Sequence, residues 1–322
     1  MTTPQFTQLY QHNAAAVAQE LLHGLSAPQA YTSPKYLYDA LGSRLFEAIT
    51  ELPEYDLTRT EAQLMRLHTP DMAEHLPAGA CWVDLGAGNC EKAGRLLGPM
   101  QAARYVAVDI SVDFVRQALG NLQHQHPGLP MAGLGTDFSA GLDLPDALAL
   151  DPAQPRVLFY PGSSIGNFTP EQALGFLQSL HRACGTAAGS GLLIGVDLLK
   201  DPAELAAAYD DALGVTAAFD LNLLLHINRL VGSDFAVRDW QHLSRFNAAQ
   251  SRVEMHLKAR HALRVRWPGG ERAFAAGETI HTENAYKWQV PSFAALLQAS
   301  GFSSTQVWTD AAQRFAVFWA QS

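Results

Sequence analysis

The residues best suited to bind a ligand follow a short apolar run in the first third of the chain. The apolar residues Cys81–Val83 end at the acid Asp84, Gly86 and Gly88 follow shortly after, and a helix-forming run begins at Glu91. This pattern predicts a strand, a tight turn and a helix, in which the glycines let a ligand approach the backbone and free N–H groups favour electron-rich ligand atoms. Because Glu91 replaces the third glycine of the dinucleotide fingerprint and no phosphate-loop pattern occurs, we expect a ligand that is not held by a phosphate. A plain strand-to-helix turn in another doubly wound domain is the alternative.

Polar residues also follow the later apolar runs. Asp109 ends the second run, where an acid can accept hydrogen bonds from both hydroxyls of a ribose; a helix N-terminal acid is the alternative. Asp137 and Phe138 follow the third run, where they would meet the edge and face of an adenine, or else be a turn acid and a core ring. Asn167 follows the fourth run, where its amide could cap the next helix or hold a ligand group. Thr169 is available to cap the next helix, which leaves Asn167 to hold a ligand group.

Strands and helices alternate over the middle of the chain, which implies a parallel sheet with right-handed crossovers. Ligands of such sheets bind at the carboxyl ends of the strands. The predicted strands are Cys81–Leu85, Tyr105–Asp109, Met131–Leu134, Val157–Tyr160 and Leu192–Leu198, and the predicted helices are Glu91–Met100, Val112–His124 and Pro170–Cys184. A helix and two strands close the chain at Phe293–Ala299, Thr305–Trp308 and Phe315–Ala320.

The remaining segments do not alternate and predict a second domain. In the N-terminal segment the predicted elements are a helix over Phe6–Leu25, a helix opened by Ser33 and Pro34 that reaches Phe46, and a capping box of Thr58 and Glu61. In the later segment they are helices over Pro202–Ala212 and Thr216–Val231 and strands over Val253–Trp267 and Thr279–Lys287. We therefore expect an α/β domain made of residues 61–196 plus 287–322. A smaller substrate-binding domain would consist of residues 1–60 plus 197–286.

Composition excludes several classes of function. The 322 residues are 48% hydrophobic and 16% charged, which is typical of a protein with a sizeable core. A net charge of −9 without a run of Lys or Arg argues against nucleic acid or an anionic membrane as partner, so we expect a small-molecule partner and a monomer. Three cysteines without metal spacing, and no apolar segment of signal-peptide type in Met1–Glu20, predict a cytoplasmic protein. His281-x-Glu283 lacks the P-C-x-x-C of zinc deaminases, so no metal site is expected.

Two sets of residues resemble known families. Asp84 to Gly88 resembles motif I of the class I S-adenosylmethionine (SAM) methyltransferases, whose glycine turn holds the amino-acid end of the cofactor. Segments along nearly the whole chain resemble the L-histidine Nα-methyltransferases of ergothioneine biosynthesis, namely Leu52–Tyr55, Thr58–Glu61, Gly162–Asn167, Tyr209–Phe219, Glu254–Met255 and Thr282–Lys287. The resemblance implies a class I Rossmann-like fold with a smaller substrate-binding domain. It also implies SAM as cofactor and three methyl transfers to histidine, giving Nα,Nα,Nα-trimethylhistidine (hercynine).

The resemblance further implies roles for individual residues. SAM would be held by Gly86, Lys92, Asp109, Asp137 and Phe138. The catalytic positions would be Asn167 and Tyr55, which would hold the α-amine, Tyr55 through water. Tyr209, helped by Tyr38, would bind the carboxylate, and Glu283 would bind the imidazole. Neutral phenols can anchor a carboxylate, and aromatic faces attract the growing quaternary ammonium.

One departure from the family bears on the substrate. The family has Glu-x-Ser at the imidazole site, whereas this chain has Glu283, Asn284 and Ala285. Asn284, Tyr286 or a water molecule could replace the missing hydroxyl, or the substrate could be another amino acid such as tryptophan or a histidine derivative. A non-catalytic SAM-binding scaffold and, more distantly, a nucleotide-cofactor oxidoreductase are the other hypotheses; Asn167 and Tyr209 argue against the scaffold.

Overall fold

The structure, a computed structural model, describes residues 4–9, 14–139, 141–144 and 146–322. The strands are β1 (Gln5–Gln8), β2 (Ala30–Tyr31), β3 (Cys81–Leu85), β4 (Arg104–Asp109), β5 (Met131–Gly135), β6 (Arg156–Tyr160), β7 (Gly191–Asp197), β8 (Trp240–Asn247), β9 (Arg252–Ala259), β10 (Leu263–Trp267), β11 (Gly270–Phe274), β12 (Thr279–Tyr286), β13 (Ser304–Thr309) and β14 (Phe315–Gln321). The α-helices are α1 (Ala14–Ser26), α2 (Ala40–Thr50), α3 (Leu57–His75), α4 (Glu91–Leu97), α5 (Val112–Gln125), α6 (Pro170–Ala183), α7 (Pro202–Tyr209), α8 (Val215–Val231) and α9 (Val290–Ala299).

The chain forms two units. Unit 1 contains the described residues of Met1–Gln11, Arg59–Leu198 and Trp288–Ser322, and unit 2 those of His12–Thr58 and Leu199–Lys287. No helix in the described part of the chain is long and apolar enough to cross a membrane.

Unit 1 is built on an eight-stranded sheet with the order β1-β5-β4-β3-β6-β7-β14-β13. When the seven strands other than β1 are numbered from one to seven in chain order, starting at β3, they lie in the sheet in the order 3-2-1-4-5-7-6. β14 runs antiparallel to both of its neighbours. This is the class I methyltransferase arrangement, so the predicted α/β fold class is confirmed. The central strands are nearly continuous apolar runs because both of their faces are covered. Every residue of β3 and of β7 is buried, including the acids Asp84 and Asp197.

Unit 2 is built on a four-stranded sheet with the order β2-β12-β9-β8, accompanied by the hairpin β10–β11. Helices α7 and α8 pack on β8 and β9, and α8 also packs on α2. A β-bulge in β12 shifts the register between His281 and Glu283, so Glu283 lies opposite Met255 and Ala285 lies opposite Val253. Because side chains alternate along a strand, Glu283 and Ala285 share one face of this sheet.

The strands and helices predicted between residues 81 and 198 and at the end of the chain are confirmed, most of them within one or two residues. The predicted helix over Phe6–Leu25 is wrong at its start, because β1 pairs in parallel with β5. A Cβ at Gly133 would come within 2.3 Å of the Phe6 ring, so the glycine of β5 leaves room for that ring. β1 therefore belongs to unit 1, although the sequence placed it in the substrate-binding domain; residues 10–13 of the predicted helix lie outside the described residues.

Three further predictions in unit 2 and α3 are corrected. The helix opened at Pro34 is a short 3-10 turn, and Asp39 caps a separate helix, α2, by accepting the Gly42 N–H at 2.7 Å. The capping box of Thr58 and Glu61 is wrong, because α3 already begins at Leu57 and the Glu61 side chain is buried. The long strand predicted over Val253–Trp267 is two strands, β9 and β10, and β8 and β11 were not predicted.

Candidate active site

The glycine turn after β3 is fixed to the end of β4 by Asp109. Gly86 and Gly88 have φ values of 71° and 52°, which glycine adopts without strain. The Gly88 N–H donates to Asp109 Oδ2 at 3.0 Å, and the Ser111 N–H donates to Asp109 Oδ1 at 2.8 Å. Burial raises the pKa of Asp109, although these two N–H groups act in the opposite direction. Each carboxylate oxygen has a second lone pair, so Asp109 can still accept hydroxyl hydrogens.

An aromatic ring lies beside the glycine turn. A Cβ at Gly86 would be 3.8 Å from the Phe138 ring, which is half-buried and packs 6.1 Å from both Phe176 and Tyr160. Asp137 precedes this ring and accepts the Ser139 N–H at 3.0 Å. Open backbone, an acceptor carboxylate and an aromatic ring thus stand at the ends of three neighbouring strands. These groups fit a nucleoside cofactor whose amino-acid end lies on the glycine turn.

Lys92 is held by the carboxylate of Glu61, which was not predicted as a site residue. Lys92 Nζ lies 2.7 Å from Glu61 Oε2, and Glu61 Oε1 accepts the Gly162 N–H at 2.6 Å. Glu61 therefore fixes both the cofactor candidate Lys92 and the loop after β6. A Cβ at Gly195 would come within 2.2 Å of Glu61 Oε1. An isolated glycine within an apolar strand often marks such a close approach, and Gly195 was the one signal in the sequence.

Asn167 ends the short 3-10 helix Ser164–Asn167 after β6. The expected cap is confirmed: Thr169 caps α6, and its backbone N–H donates to Gln172 Oε1 at 3.0 Å while its hydroxyl accepts the Gln172 N–H at 3.3 Å. The half-buried Asn167 amide makes no hydrogen bond with the described residues. It is therefore available to a ligand.

The three tyrosines of the resemblance belong to one aromatic cluster in unit 2. The Tyr38 ring lies 5.4 Å from Phe46 and from Phe219, and the Tyr55 ring lies 6.3 Å from Phe46 and 6.2 Å from Tyr209. Tyr55 and Tyr209 are each 8% exposed. Such a cluster offers hydroxyl donors and aromatic faces at the same place.

Lys287 joins this cluster and was not predicted as a site residue. Its Nζ lies 3.0 Å from the Tyr209 hydroxyl and 4.9 Å from the centroid of the Tyr209 ring. Lys287 is buried, and it directly follows β12. The sequence signal was weak, because a lysine after a strand is usually solvated.

Glu283 is a buried carboxyl group without a full set of partners. It is 9% exposed, and Oε2 has no hydrogen-bond partner among the described residues. Burial raises the pKa of Glu283 to about 8; the charge of Asp220 acts in the same direction and that of Lys287 in the opposite one. Asp220 is itself engaged, because its Oδ2 lies 2.7 Å from His242 Nδ1. At neutral pH Glu283 is mostly protonated, so it can donate as well as accept a hydrogen bond.

The structure separates Asn284 from Glu283. Asn284 lies opposite Glu254 on β9, whose carboxylate accepts hydrogen bonds from Arg245, Arg252 and Asn247. Asn284 thus belongs to the other face of the sheet, and its role at the imidazole stays a prediction that this geometry does not favour. Tyr286 shares that face, where its hydroxyl accepts from Arg252 at 2.6 Å. Ala285 lies on the face of Glu283 and is buried, so the missing hydroxyl is not replaced by either neighbour in the chain.

Together, the sheet order, the glycine turn and the carboxylate after β4 define a class I SAM-type methyltransferase. Comparison with known proteins then identifies the family. A family model described as "Histidine-specific methyltransferase, SAM-dependent" matches residues 17–322, and the chain belongs to this family. The predicted family is thereby confirmed.

The relatives cover nearly the whole chain. The histidine N-alpha-methyltransferase of Mycolicibacterium smegmatis is 37% identical over 310 residues, and that of Mycobacterium tuberculosis is 36% identical over 309 residues; each match covers 94% of both chains. Among solved structures, the CcbJ methyltransferase from Streptomyces caelestis is 15% identical with a TM-score of 0.45, over 85% of this chain and 98% of the other.

Proposed function

We propose that this protein transfers methyl groups from SAM to the α-amine of L-histidine, and that three successive transfers give hercynine in ergothioneine biosynthesis. The family and the two mycobacterial relatives support this proposal. A protein of Neurospora crassa named ergothioneine biosynthesis protein 1 is 35% identical over 64% of this chain, although the match covers 24% of that longer protein. Unit 2 is proposed to bind the substrate, and the cytoplasmic, monomeric state remains a proposal.

Unit 1 supplies the groups that would hold SAM, which when bound provides an electrophilic methyl group on a sulfonium. The open backbone at Gly86 and Gly88 would accommodate its amino-acid end, and Asp109 would accept the ribose hydroxyls. Phe138 and Asp137 would take the adenine. Lys92 is paired with Glu61 at 2.7 Å. Its remaining N–H donors would bind the cofactor next to the glycine turn.

The groups proposed to act on the amine prepare its lone pair. Even at the pKa of about 8 of a peptide terminus, an α-amine is mostly protonated at pH 7, so the site must act on its neutral fraction. In the first and second transfers the Asn167 amide oxygen would accept an N–H of the neutral amine and aim the lone pair without adding charge. The tertiary amine of the third transfer has no N–H, so the surrounding groups would have to position it, and Tyr55 would act through water. Orientation of this kind contributes much of the acceleration in two-substrate reactions. Tyr38 and Tyr209 would donate to the carboxylate, and their cluster of rings would stabilise the methylated ammonium.

The observation that carries the choice of histidine is the unpartnered oxygen of Glu283. A buried acceptor without a partner costs about 1–3 kcal/mol, and an imidazole nitrogen can remove this cost. Because Glu283 is mostly protonated below its pKa of about 8, it can donate to one tautomer of the imidazole and, when ionised, accept from the other. An apolar side chain of similar size would leave the oxygen unpaired.

Product mass spectrometry after incubation with SAM tests the proposal. We expect histidine to gain one, two and then three methyl groups, while phenylalanine and tryptophan are left unmodified. Retained SAM binding without any methylated amino acid would support the scaffold hypothesis and refute the proposal.

A second candidate is the same reaction on another amino acid. The buried Ala285 beside Glu283 favours it, because this position lacks the hydroxyl of the serine found in the family. Competition between histidine, tryptophan and histidine derivatives for limiting enzyme separates the candidates: a higher kcat/KM for any of the others would reject histidine as the preferred substrate.

A further inference from the structure

We propose that Lys287 is a specificity-determining residue that selects a substrate with a free carboxylate. Its ammonium group supplies a positive charge beside the Tyr209 hydroxyl and orients that hydroxyl as a hydrogen-bond donor. This inference rests on the proposed methylation of an amino acid. It adds a charged group to a binding site that otherwise relies on neutral phenols for the carboxylate.

The first observation is the contact between Lys287 and Tyr209. An ammonium group has only donors, so at 3.0 Å it is the phenol oxygen that accepts and Lys287 Nζ that donates. The hydroxyl hydrogen of Tyr209 is consequently directed away from Nζ. Lys287 therefore orients the phenol as a hydrogen-bond donor, which is the role that a carboxylate ligand requires.

The second observation is that this charge is buried and anchored. Lys287 is 5% exposed, and a buried charge is costly unless groups around it compensate. Its backbone N–H donates to the Ser251 carbonyl at 2.7 Å, which fixes the start of the side chain. The Tyr209 hydroxyl oxygen, 3.0 Å from Nζ, accepts a hydrogen bond from the ammonium and compensates part of this cost. An anion arriving at Tyr209 would meet a positive charge held in place.

The chemistry of the substrate suits such a group. The amine changes from neutral to permanently cationic during three methylations, whereas the carboxylate is the same throughout. A lysine that recognises the carboxylate would hold every intermediate in one orientation, while the aromatic faces tolerate the growing ammonium group.

A different role for Lys287 would be to act only on Glu283, whose carboxyl feels the same positive charge. That role concerns the imidazole end of the substrate. The two roles predict different substrate preferences, so the substrate can be varied together with the enzyme.

The test compares L-histidine with L-histidinamide, which keeps the amine and the imidazole but lacks the carboxylate charge. For Lys287→Met we expect kcat/KM for histidine to fall about 10- to 100-fold, mainly through KM, since hydrogen bonds to charged groups are worth this much. The value for histidinamide should change less than about threefold, so the preference for the carboxylate is lost. Lys287→Arg should restore most of that preference. Lys258→Met, which removes a half-buried lysine elsewhere on the same sheet, should match the wild type.

An equal fall in kcat/KM for histidine and histidinamide, with the preference for the carboxylate retained, would overturn the proposal. A variant that changes only the preference for histidine over phenylalanine would support the role at Glu283. SAM affinity by calorimetry reports whether each variant is folded. If Lys287→Met does not fold, Tyr209→Phe answers the question: part of the carboxylate preference must survive on the ammonium alone, and its complete loss would contradict a role for Lys287. Failure of the wild-type protein to methylate histidine would instead refute the proposed function.

Discussion

Glu283→Gln should make the ligand-free protein more stable relative to wild type as the pH rises. The buried Glu283 carboxyl has a pKa of about 8, against 4.5 for an ordinary glutamate. Between these values the folded state keeps a proton that the unfolded chain releases, so the wild-type protein loses stability as the pH increases. Glutamine has nearly the same shape and does not titrate, so the variant is spared this loss.

The size of the effect follows from the slope of the linkage. One proton difference between the two states corresponds to about 1.4 kcal/mol for each pH unit. From pH 5 to pH 7 the difference in the free energy of unfolding, variant minus wild type, should therefore rise by roughly 2–3 kcal/mol. Above pH 8 the folded carboxyl ionises as well, and the difference should level off. The same substitution should raise KM for histidine, since glutamine offers no group that switches between donor and acceptor.

Urea unfolding at pH 5, 6, 7 and 8, followed by tryptophan fluorescence, measures this difference. Glu278→Gln is the matched control. Burial alone would raise the pKa of Glu278, but hydrogen bonds from Arg272 and from the Ala275 N–H outweigh it and lower that pKa. Its stabilising contribution is complete above about pH 5 and is lost only as the pH falls, so its difference from wild type should be flat from pH 5 to pH 8. Parallel profiles for Glu283→Gln and wild type would refute the reasoning about the buried carboxyl.

Three further substitutions test the site. Asp109→Asn should weaken SAM binding about tenfold by calorimetry, since a charge-assisted acceptor is lost; unchanged affinity would exclude Asp109 from the cofactor site. Asn167→Ala should lower kcat about 100-fold at constant SAM affinity, whereas the helix-cap control Thr169→Ala should cost about 1 kcal/mol of stability with kcat retained; equal kcat values for the two variants would contradict the role of Asn167. Glu61→Gln should weaken the ion pair with Lys92, which should lower the free energy of unfolding by about 1–3 kcal/mol and raise KM for SAM. A change in the free energy of unfolding without a change in KM would show that Glu61 has only a structural role.

Local patterns were sufficient for the α/β fold and for half of the candidate site. The strands β3 to β7 could be predicted because central parallel strands are continuous apolar runs bounded by turn residues. The glycine turn and Asp109 could be predicted because a ligand crevice of such a sheet lies at the carboxyl ends of its strands. These features depend on residues that are near one another in the chain.

The remaining features depend on residues that are far apart in the chain, which the sequence by itself does not bring together. β1 is a strand because its Phe6 ring fills the space above Gly133 in β5. Glu61 meets the Gly162 N–H across 101 residues, and Lys287 meets Tyr209 across 78. The bulge in β12 shifts the register before Glu283 and so decides which residues of β9 lie opposite Glu283 and Ala285. The sequence by itself thus determined the fold class and the glycine turn through local patterning. Tertiary packing decided the partners of the buried charges, because those partners lie far apart in the chain.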